Sequence, residues 1–267
     1  MQRNLVKTMS GDPDFMLSLA RGLAVLRAFE GNAGLTVAQA ASITGLSRSS
    51  VRRCLLTLEQ LGHVRATDGR YRLEPGLLPL AHAYVVSDPL ALAAQPVVDV
   101  VRDSLGEACS LAVLDLGRRG AEVIYVARAE APQPIAMPLR IGSTVPAYCS
   151  ALGRVLLAGM ERAALDIYLG GAPFARRTPA TLTGADEIRA ACHTVRAEGY
   201  AEVREELEPG LRSLAVPVRD GEGRTVAALN VGAAAARWPD ETRTGHILAE
   251  LRAAATHLAR VIHAPGA

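Results

Sequence analysis

The chain has 267 residues, 49% of them hydrophobic and 21% charged, with no low-complexity tract, which supplies core material for two domains and excludes an intrinsically disordered chain. No apolar run approaches the ~20 residues that a bilayer-spanning helix needs, and the N-terminal stretch lacks the apolar segment of a signal peptide, so a cytoplasmic protein without membrane contact is expected. Net charge is +2 but uneven: residues 1–75 carry +4 and residues 76–267 carry −2, so the surplus that a polyanion would attract lies near the N-terminus.

Residues 17–29 form the first helical pattern, followed by a polar loop at 30–34. Residues 35–61 then read LTVAQAASITGLSRSSVRRCLLTLEQL. Thr36 is placed to cap a short helix whose apolar side is Val37, Ala40, Ala41 and Ile43. Gly45 breaks it, because a residue without Cβ turns the chain at little steric cost. Leu46 anchors the turn, and Ser47 caps a second helix by accepting a free backbone N–H.

Val51, Cys54, Leu55, Leu58 and Leu61 recur at three- and four-residue spacing and form the buried stripe of that second helix. Ser49, Arg52, Arg53, Leu56, Thr57 and Gln60 fall on the opposite side. Helix, short turn, and helix with a basic outer face is the helix-turn-helix pattern, whose second helix enters the DNA major groove. An ordinary helical hairpin with a solvated face is the alternative on this stretch alone. Asp68-Gly69 then joins two short alternating runs, which predicts a hairpin, or wing, carrying Arg65, Arg70 and Arg72 towards phosphates. Ser47, Arg48, Ser49, Arg52, Arg53 and Arg70 are the candidate contacts to a double-stranded DNA operator.

Residues 77–86 read as a linker helix, and Ser87-Asp88-Pro89 starts another at 90–105 with Leu92, Pro96, Val97 and Val100 or Val101 on its apolar side. That side packs either on a partner subunit or back on its own domain. Strand-like runs follow at 109–116 and 122–128, joined through residues 117–120, with a third candidate at 135–141. Residues 150–160, 162–169 and 185–198 are helical, with Thr183 as a candidate cap for the last. Residues 200–203, 213–218 and 225–231 are strands, and 240–262 is a closing amphipathic helix. Two groups of strands with helices between and after predict an α+β domain, an antiparallel sheet with covering helices. The expected division is a winged helix-turn-helix at 15–75, a linker at 76–88 and a second domain at 89–264.

Strands disfavour Asn, yet Asn230 sits within TVAALNVG, and alternation puts it on one side with Ala228 and Gly232. Small residues beside one polar side chain leave room for a ligand. Ser213 begins the neighbouring strand. Ser150 precedes a helix, so the free N–H groups of Ala151 and Leu152 suit a carboxylate; plain capping, which needs no ligand, is the competing account. Met137 supplies a flexible apolar wall. The acidic stretch 205–210 matches no calcium loop and reads as a solvated loop or as one side of the pocket. Cys54, Cys109, Cys149 and Cys192 lie too far apart for zinc-ligand spacing, so neither a metal nor another cofactor is expected.

Four stretches resemble the IclR family of bacterial transcriptional regulators: SLARGLAVL at 18–26, GLSRSSVRR at 45–53, AYCSALGRVLLA at 147–158 and REELEPGLRSLAVPV at 204–218. The last two look closest to the branch that governs aromatic-acid catabolism, the protocatechuate, 4-hydroxybenzoate and β-ketoadipate regulators. The resemblance implies a winged helix-turn-helix, a linker helix and a GAF-like effector domain, assembled as homodimers or tetramers. It implies effector contacts at Met137, Ala151, Leu152, Leu211, Ser213, Asn230 and Gly232. An acidic contact of one family member falls on Val203 here, which implies a less polar ligand.

The resulting expectation is a regulator whose operator binding shifts when a small carboxylic acid prefers one state of the second domain. An enzyme is the competing class, and it fares poorly: no Gly-x-Ser-x-Gly, no His-Glu-x-x-His and no phosphate loop occurs. A second domain that serves protein contacts alone is the third reading; an occupied, closed pocket speaks against it, and a filled core without a cavity near Asn230 speaks for it.

Overall fold

The computed structural model describes residues 14–117, 121–131, 139–238 and 240–263. They divide into two compact units between Tyr84 and Val85. Among the described residues no single helix is long and apolar enough to cross a membrane.

The first unit holds α1 (Leu17–Arg27), α2 (Val37–Thr44), α3 (Arg48–Gln60) and a hairpin of β1 (Val64–Thr67) and β2 (Arg70–Leu73). Thr36 caps α2 by accepting from the Gln39 N–H, and the Gln39 side chain reciprocates. Gly45 ends α2 in the left-handed region, φ 70°, where a side chain would be strained. Val25, Phe29, Leu35, Ala40, Val51, Leu55, Leu58 and Val64 close one core.

Two positions differ from the periodic reading. Ile43 is exposed and Thr44 is buried in its place, four residues past Ala40 with its hydroxyl donated to the Ala40 carbonyl at 2.7 Å. Leu61 is exposed too, because α3 stops at Gln60 and Val64, beyond the turn, fills the core.

The chain continues through α4 (Leu78–Ser87) into α5 (Pro89–Leu105), which opens the second unit. Asp88 caps α5. The expected apolar side of α5 is split: Leu92 is 61% and Val100 66% exposed, while Val97 packs on the core and Val101 is buried. Leu90, Ala91, Ala94, Val98, Val101 and Leu105 make up the buried stripe. That stripe runs the whole helix, whereas the expected one covers half of it, and at about 25 cal/mol per Å² the longer stripe wins.

A six-stranded antiparallel sheet follows, in the order β5-β4-β3-β8-β7-β6. Its strands are β3 (Ala108–Asp115), β4 (Glu122–Ala129), β5 (Thr144–Pro146), β6 (Ala201–Arg204), β7 (Leu211–Arg219) and β8 (Thr225–Ala234). One face packs Leu111, Leu214, Val216, Leu229 and Val231 against α5 and α9 (Glu241–Ile262). The other packs Ala112, Val123, Tyr125, Val203, Ala215 and Ala228 against α6 (Ala151–Gly159), α7 (Arg162–Leu169) and α8 (Ala185–Glu198). The chain is thus α+β, with helices covering an antiparallel sheet.

The third strand lies later than expected. Residues 139–141 run into a turn at Gly142, where the Gly142 N–H donates to the Tyr125 carbonyl at 2.8 Å, and pairing with β4 begins at Thr144. The rest of the expected strand, residues 135–138, and most of the β3–β4 connection lie outside the described residues. Gly184, not Thr183, precedes α8; its N–H donates to Glu187 Oε2 at 2.9 Å, while Thr183 accepts from Arg176.

Candidate functional site

In the first unit, α3 buries Val51, Leu55 and Leu58, which turns Arg48, Ser49, Arg52, Arg53, Thr57 and Gln60 outward as exposed residues. Neither Arg52 nor Arg53 is paired with a carboxylate of any described residue. Ser47 is the cap: its Oγ accepts the Ser50 N–H at 3.2 Å and lies 3.0 Å from the hydroxyls of Ser49 and Ser50.

The wing turns through Asp68 and Gly69, both at positive φ, the two-residue turn whose twist suits a hairpin. Leu35 bridges to Tyr71 as a short third strand. Among the wing's arginines, Arg65 pairs with Glu74 at 3.1 Å. Arg70, a candidate DNA contact, donates to the Gly34 carbonyl at 3.2 Å and reaches Gln39 Oε1 at 3.5 Å, so it also braces the wing on the α2 cap. Arg72 is exposed.

The second unit contains a cavity under the start of α6. Ser150, Ala151, Leu152, Leu211, Ser213, Asn230 and Gly232 all line it, together with Tyr125, Arg128, Leu139 and Leu207. Met137, the remaining candidate, lies outside the described residues. Strand register assembles the floor: Arg128, Ser110 and Asn230 are cross-strand partners on β4, β3 and β8, and Ser213 of β7 faces Gly232 of β8. Cross-strand partners share a face, so residues more than a hundred positions apart in the chain converge. Val203 is paired with Ser213 and buried.

The roof is the N-terminus of α6. Ser150 Oγ accepts the Gly153 N–H at 3.1 Å and donates to the Pro146 carbonyl at 3.1 Å. The Arg154 N–H goes to the Ser150 carbonyl at 2.8 Å. Ala151 and Leu152 lie ahead of the intrahelical ladder, with N–H groups that have no helical partner and the positive end of the helix dipole behind them. Capping by Ser150 therefore leaves two donors over beside the cavity. The roof sits this low because of Gly153: a Cβ there would lie 2.2 Å from the Ala147 carbonyl oxygen.

Asn230 is 8% exposed, and its Oδ1 is buried without a hydrogen-bond partner. Such an atom costs about 1–3 kcal/mol. The acidic stretch forms a wall rather than a solvated loop. Glu206 is buried and accepts from Arg154 Nη2 at 2.7 Å, and Leu207 faces the cavity. Burial pushes the Tyr125 phenol up to about 12, so it lines the cavity as a neutral group. No cluster of three His, Cys, Asp or Glu side chains is placed to hold a metal among the described residues.

Four lining residues escaped the sequence reading. Tyr125 and Arg128 sit in a strand that is expected to pair with 109–116, but which of its residues face the site is not assigned by the sequence. Leu139 was read as strand and Leu207 as part of a polar loop. The strand alternation of Tyr125 and Arg128 is broken by the irregularity at Leu111/Ala112 in the β3–β4 pairing, so spacing alone carried no signal for them.

A winged helix-turn-helix with an outward basic helix face, on a chain that also folds a sheet domain around a largely apolar cavity with a few polar side chains, defines a ligand-responsive DNA-binding regulator. Family comparison agrees: the IclR helix-turn-helix domain matches residues 18–68 and the bacterial transcriptional regulator IclR C-terminal domain matches residues 82–260. The chain belongs to the IclR family of transcriptional regulators and is not an enzyme.

It is 46% identical over 228 residues to the Pca regulon regulatory protein of Pseudomonas putida, covering 85% of this chain and 77% of that one. A crystal structure of a transcriptional regulator from Rhodococcus sp. RHA1 is 38% identical with a TM-score of 0.77, covering 93% of this chain and 98% of that one. The inducer-binding domain of the PobR transcription factor from Acinetobacter, a double mutant in complex with 3-hydroxybenzoic acid, is 28% identical with a TM-score of 0.56, covering 62% of this chain and 94% of that one.

Proposed function

We propose that this regulator senses a small carboxylic acid of aromatic-acid catabolism in the cavity under α6, and that Ser150, Ala151, Leu152, Leu211, Ser213, Asn230 and Gly232, with Met137, contact it. The observation that carries this is the pairing of a buried, unpartnered Asn230 Oδ1 with the uncapped N–H groups of Ala151 and Leu152 around one cavity. A ligand that brings an anion to the helix end and a hydrogen bond to the amide would satisfy both. The hydroxybenzoate complex of the PobR inducer-binding domain supports an acid of that size.

DNA is met in the cytoplasm by Ser47, Arg48, Ser49, Arg52, Arg53 and Arg70, in a DNA-binding domain at 15–75 joined through a linker at 76–88 to an effector domain at 89–264. The working unit is a homodimer or a pair of dimers, for which the outward apolar side of α5 (Leu92, Pro96, Val100) is available. Effector and operator are coupled because the acid binds one arrangement of the dimer better than another; inverting a 1:99 population fully takes a ~10⁴-fold difference in affinity.

Calorimetric titration with protocatechuate, 4-hydroxybenzoate, β-ketoadipate and muconate is expected to give saturable heat with at least one of them. No heat from any of the four removes the aromatic-pathway assignment. Arg53→Ala is expected to weaken specific operator binding by about 1–3 kcal/mol and to lower the salt slope by about 1. Unchanged affinity and slope in a band-shift series take Arg53 out of the interface.

A further inference from the structure

An acid interrupts the line of arginines on α3. Glu59 stands seven residues after Arg52, two turns along the same side of the helix. By charge alone, a carboxylate there repels the phosphates that Arg52 attracts. Its own contact is with the wing: the half-buried Glu59 accepts the Ala66 N–H on Oε1 at 3.0 Å.

That contact bears on the pose of the wing because burial does not fix it. Val64 is the buried residue of β1, and every residue from Arg65 to Arg70 is exposed. Across the two-residue turn Thr67 pairs with Arg70, and Ala66 with Tyr71. The second is the pair whose backbone groups point away from the partner strand. Both outer edges of the hairpin are therefore open, and each is tied back. On β2, Tyr71 exchanges two backbone hydrogen bonds with Leu35, at 2.8 and 2.9 Å, just ahead of α2. On β1, the Ala66 N–H is tied to α3 by Glu59.

The tie governs a basic surface. Strand alternation turns Arg65, Thr67, Arg70 and Arg72 to the side opposite Val64 and Tyr71. Arg65 and Arg72 are direct cross-strand partners, a like-charge pair that costs the free hairpin and that a phosphate relieves. Arg65 has Glu74 beside it, and Arg70 has the Gly34 carbonyl, which leaves Arg72 for the phosphate.

We propose that Glu59 is a positioning residue for DNA binding: by holding Ala66 it sets the angle of the wing to α3, so that Arg72 reaches the phosphate backbone while Arg52 and Arg53 face the groove. This rests on the reading of α3 and the wing as the DNA-facing elements. Charge and position predict opposite signs. Removing a carboxylate beside DNA strengthens binding where only its charge matters, and weakens binding where the wing loses its tie.

The test titrates the full-length protein onto a mixed-sequence duplex by fluorescence anisotropy at a series of salt concentrations, since phosphate contacts are independent of sequence. Two charge-matched comparisons separate the effects. Glu59→Gln keeps an acceptor oxygen at the same reach, whereas Glu59→Ala has none. Wild type and Glu59→Asp carry the same charge, but aspartate is one methylene short of Ala66. Glu59→Gln is expected to bind at least as tightly as wild type, with the same salt slope. Glu59→Ala is expected to bind about threefold to tenfold more weakly than Glu59→Gln, and Glu59→Asp likewise against wild type, each with a slope shallower by about 1. Arg72→Ala is expected to take about 1 from the wild-type slope and nothing further from that of Glu59→Ala. Loss of stability alone does not produce that coupling. Equal affinity and slope within either charge-matched pair overturns the proposal; where Arg72→Ala still lowers the wild-type slope, the wing stays a DNA-facing element. No change of slope in Arg72→Ala removes the wing from the interface and the proposal with it. The comparison of wild type with Glu59→Asp decides the matter even where Glu59→Ala fails to fold.

Discussion

Asn230 shows how a single side chain can be costly to the fold and yet offer an acceptor to a ligand. Its neighbours on β7 and β3 satisfy the backbone, but nothing in the protein meets its buried Oδ1. Replacing it by leucine, similar in volume and without polar atoms, is expected to raise stability by about 1–3 kcal/mol while removing acid-dependent thermal stabilisation. A variant that unfolds earlier and still responds to the acid would mean that the amide serves packing instead. This residue was legible in the sequence because an amide is conspicuous among Ala, Leu, Val and Gly. Arg128 was not legible: an arginine near a strand end reads as a surface charge until Glu130, Ser110 and Tyr125 are seen around it.

Among elements, α6 is the one on which the cavity depends. Eight of its nine residues, Ala151 to Ala158, are buried, arginine included. The side chain of Arg154 is tolerated there because Glu206 and the Tyr148 carbonyl both accept from its Nη2 at 2.7 Å. The helix can sit against residue 147 only without a Cβ at Gly153. Gly153→Ala, ordinarily favourable in a helix, is here expected to destabilise by about 1–3 kcal/mol or more through that backbone clash. Chemical denaturation showing a stabilised Gly153→Ala would refute the close approach. Periodicity found this helix and most others, since a 3.6-residue repeat is a local property. It chose the side of α5 only half correctly, placing Val97 and Val101 inward but Leu92 too, because both sides carry Leu and Val and only the partner surfaces (the sheet and α9) distinguish them.

Across the whole molecule, titration and association report on burial. Cys149 lies in the core beside the roof, and burial pushes its thiol up to about 11 from an ordinary value of 9.0. The folded protein thus holds this proton to higher pH than the unfolded chain does. Its contribution is complete below about 9 and is lost as pH rises towards 11. Tyr125, held up to about 12 from 10.0, continues the loss at higher pH. Denaturant midpoints are expected to fall across that alkaline range, and to fall less in Cys149→Ala; an identical slope in that variant would exclude the thiol as the source. At the surface, Leu92 and Val100 are the exposed apolar residues of α5. Leu92→Glu with Val100→Glu is expected to shift the protein towards monomer in light scattering without loss of helix signal. An unchanged oligomer would place the interface elsewhere.

The sequence by itself determined most of the helices and strands, that a basic helix follows a capped turn, and that a serine-capped helix and a strand asparagine are the candidates for one site. Each of these is set by neighbours within a few residues, through side-chain spacing, caps and turn residues. Tertiary structure alone decided that Arg128 and Leu207 reach the cavity, that the exposed side of α5 is Leu92 and Val100, and that β5 starts after Gly142. These depend on strand register and on which surfaces compete for burial, and both are set by contacts between residues far apart in the chain.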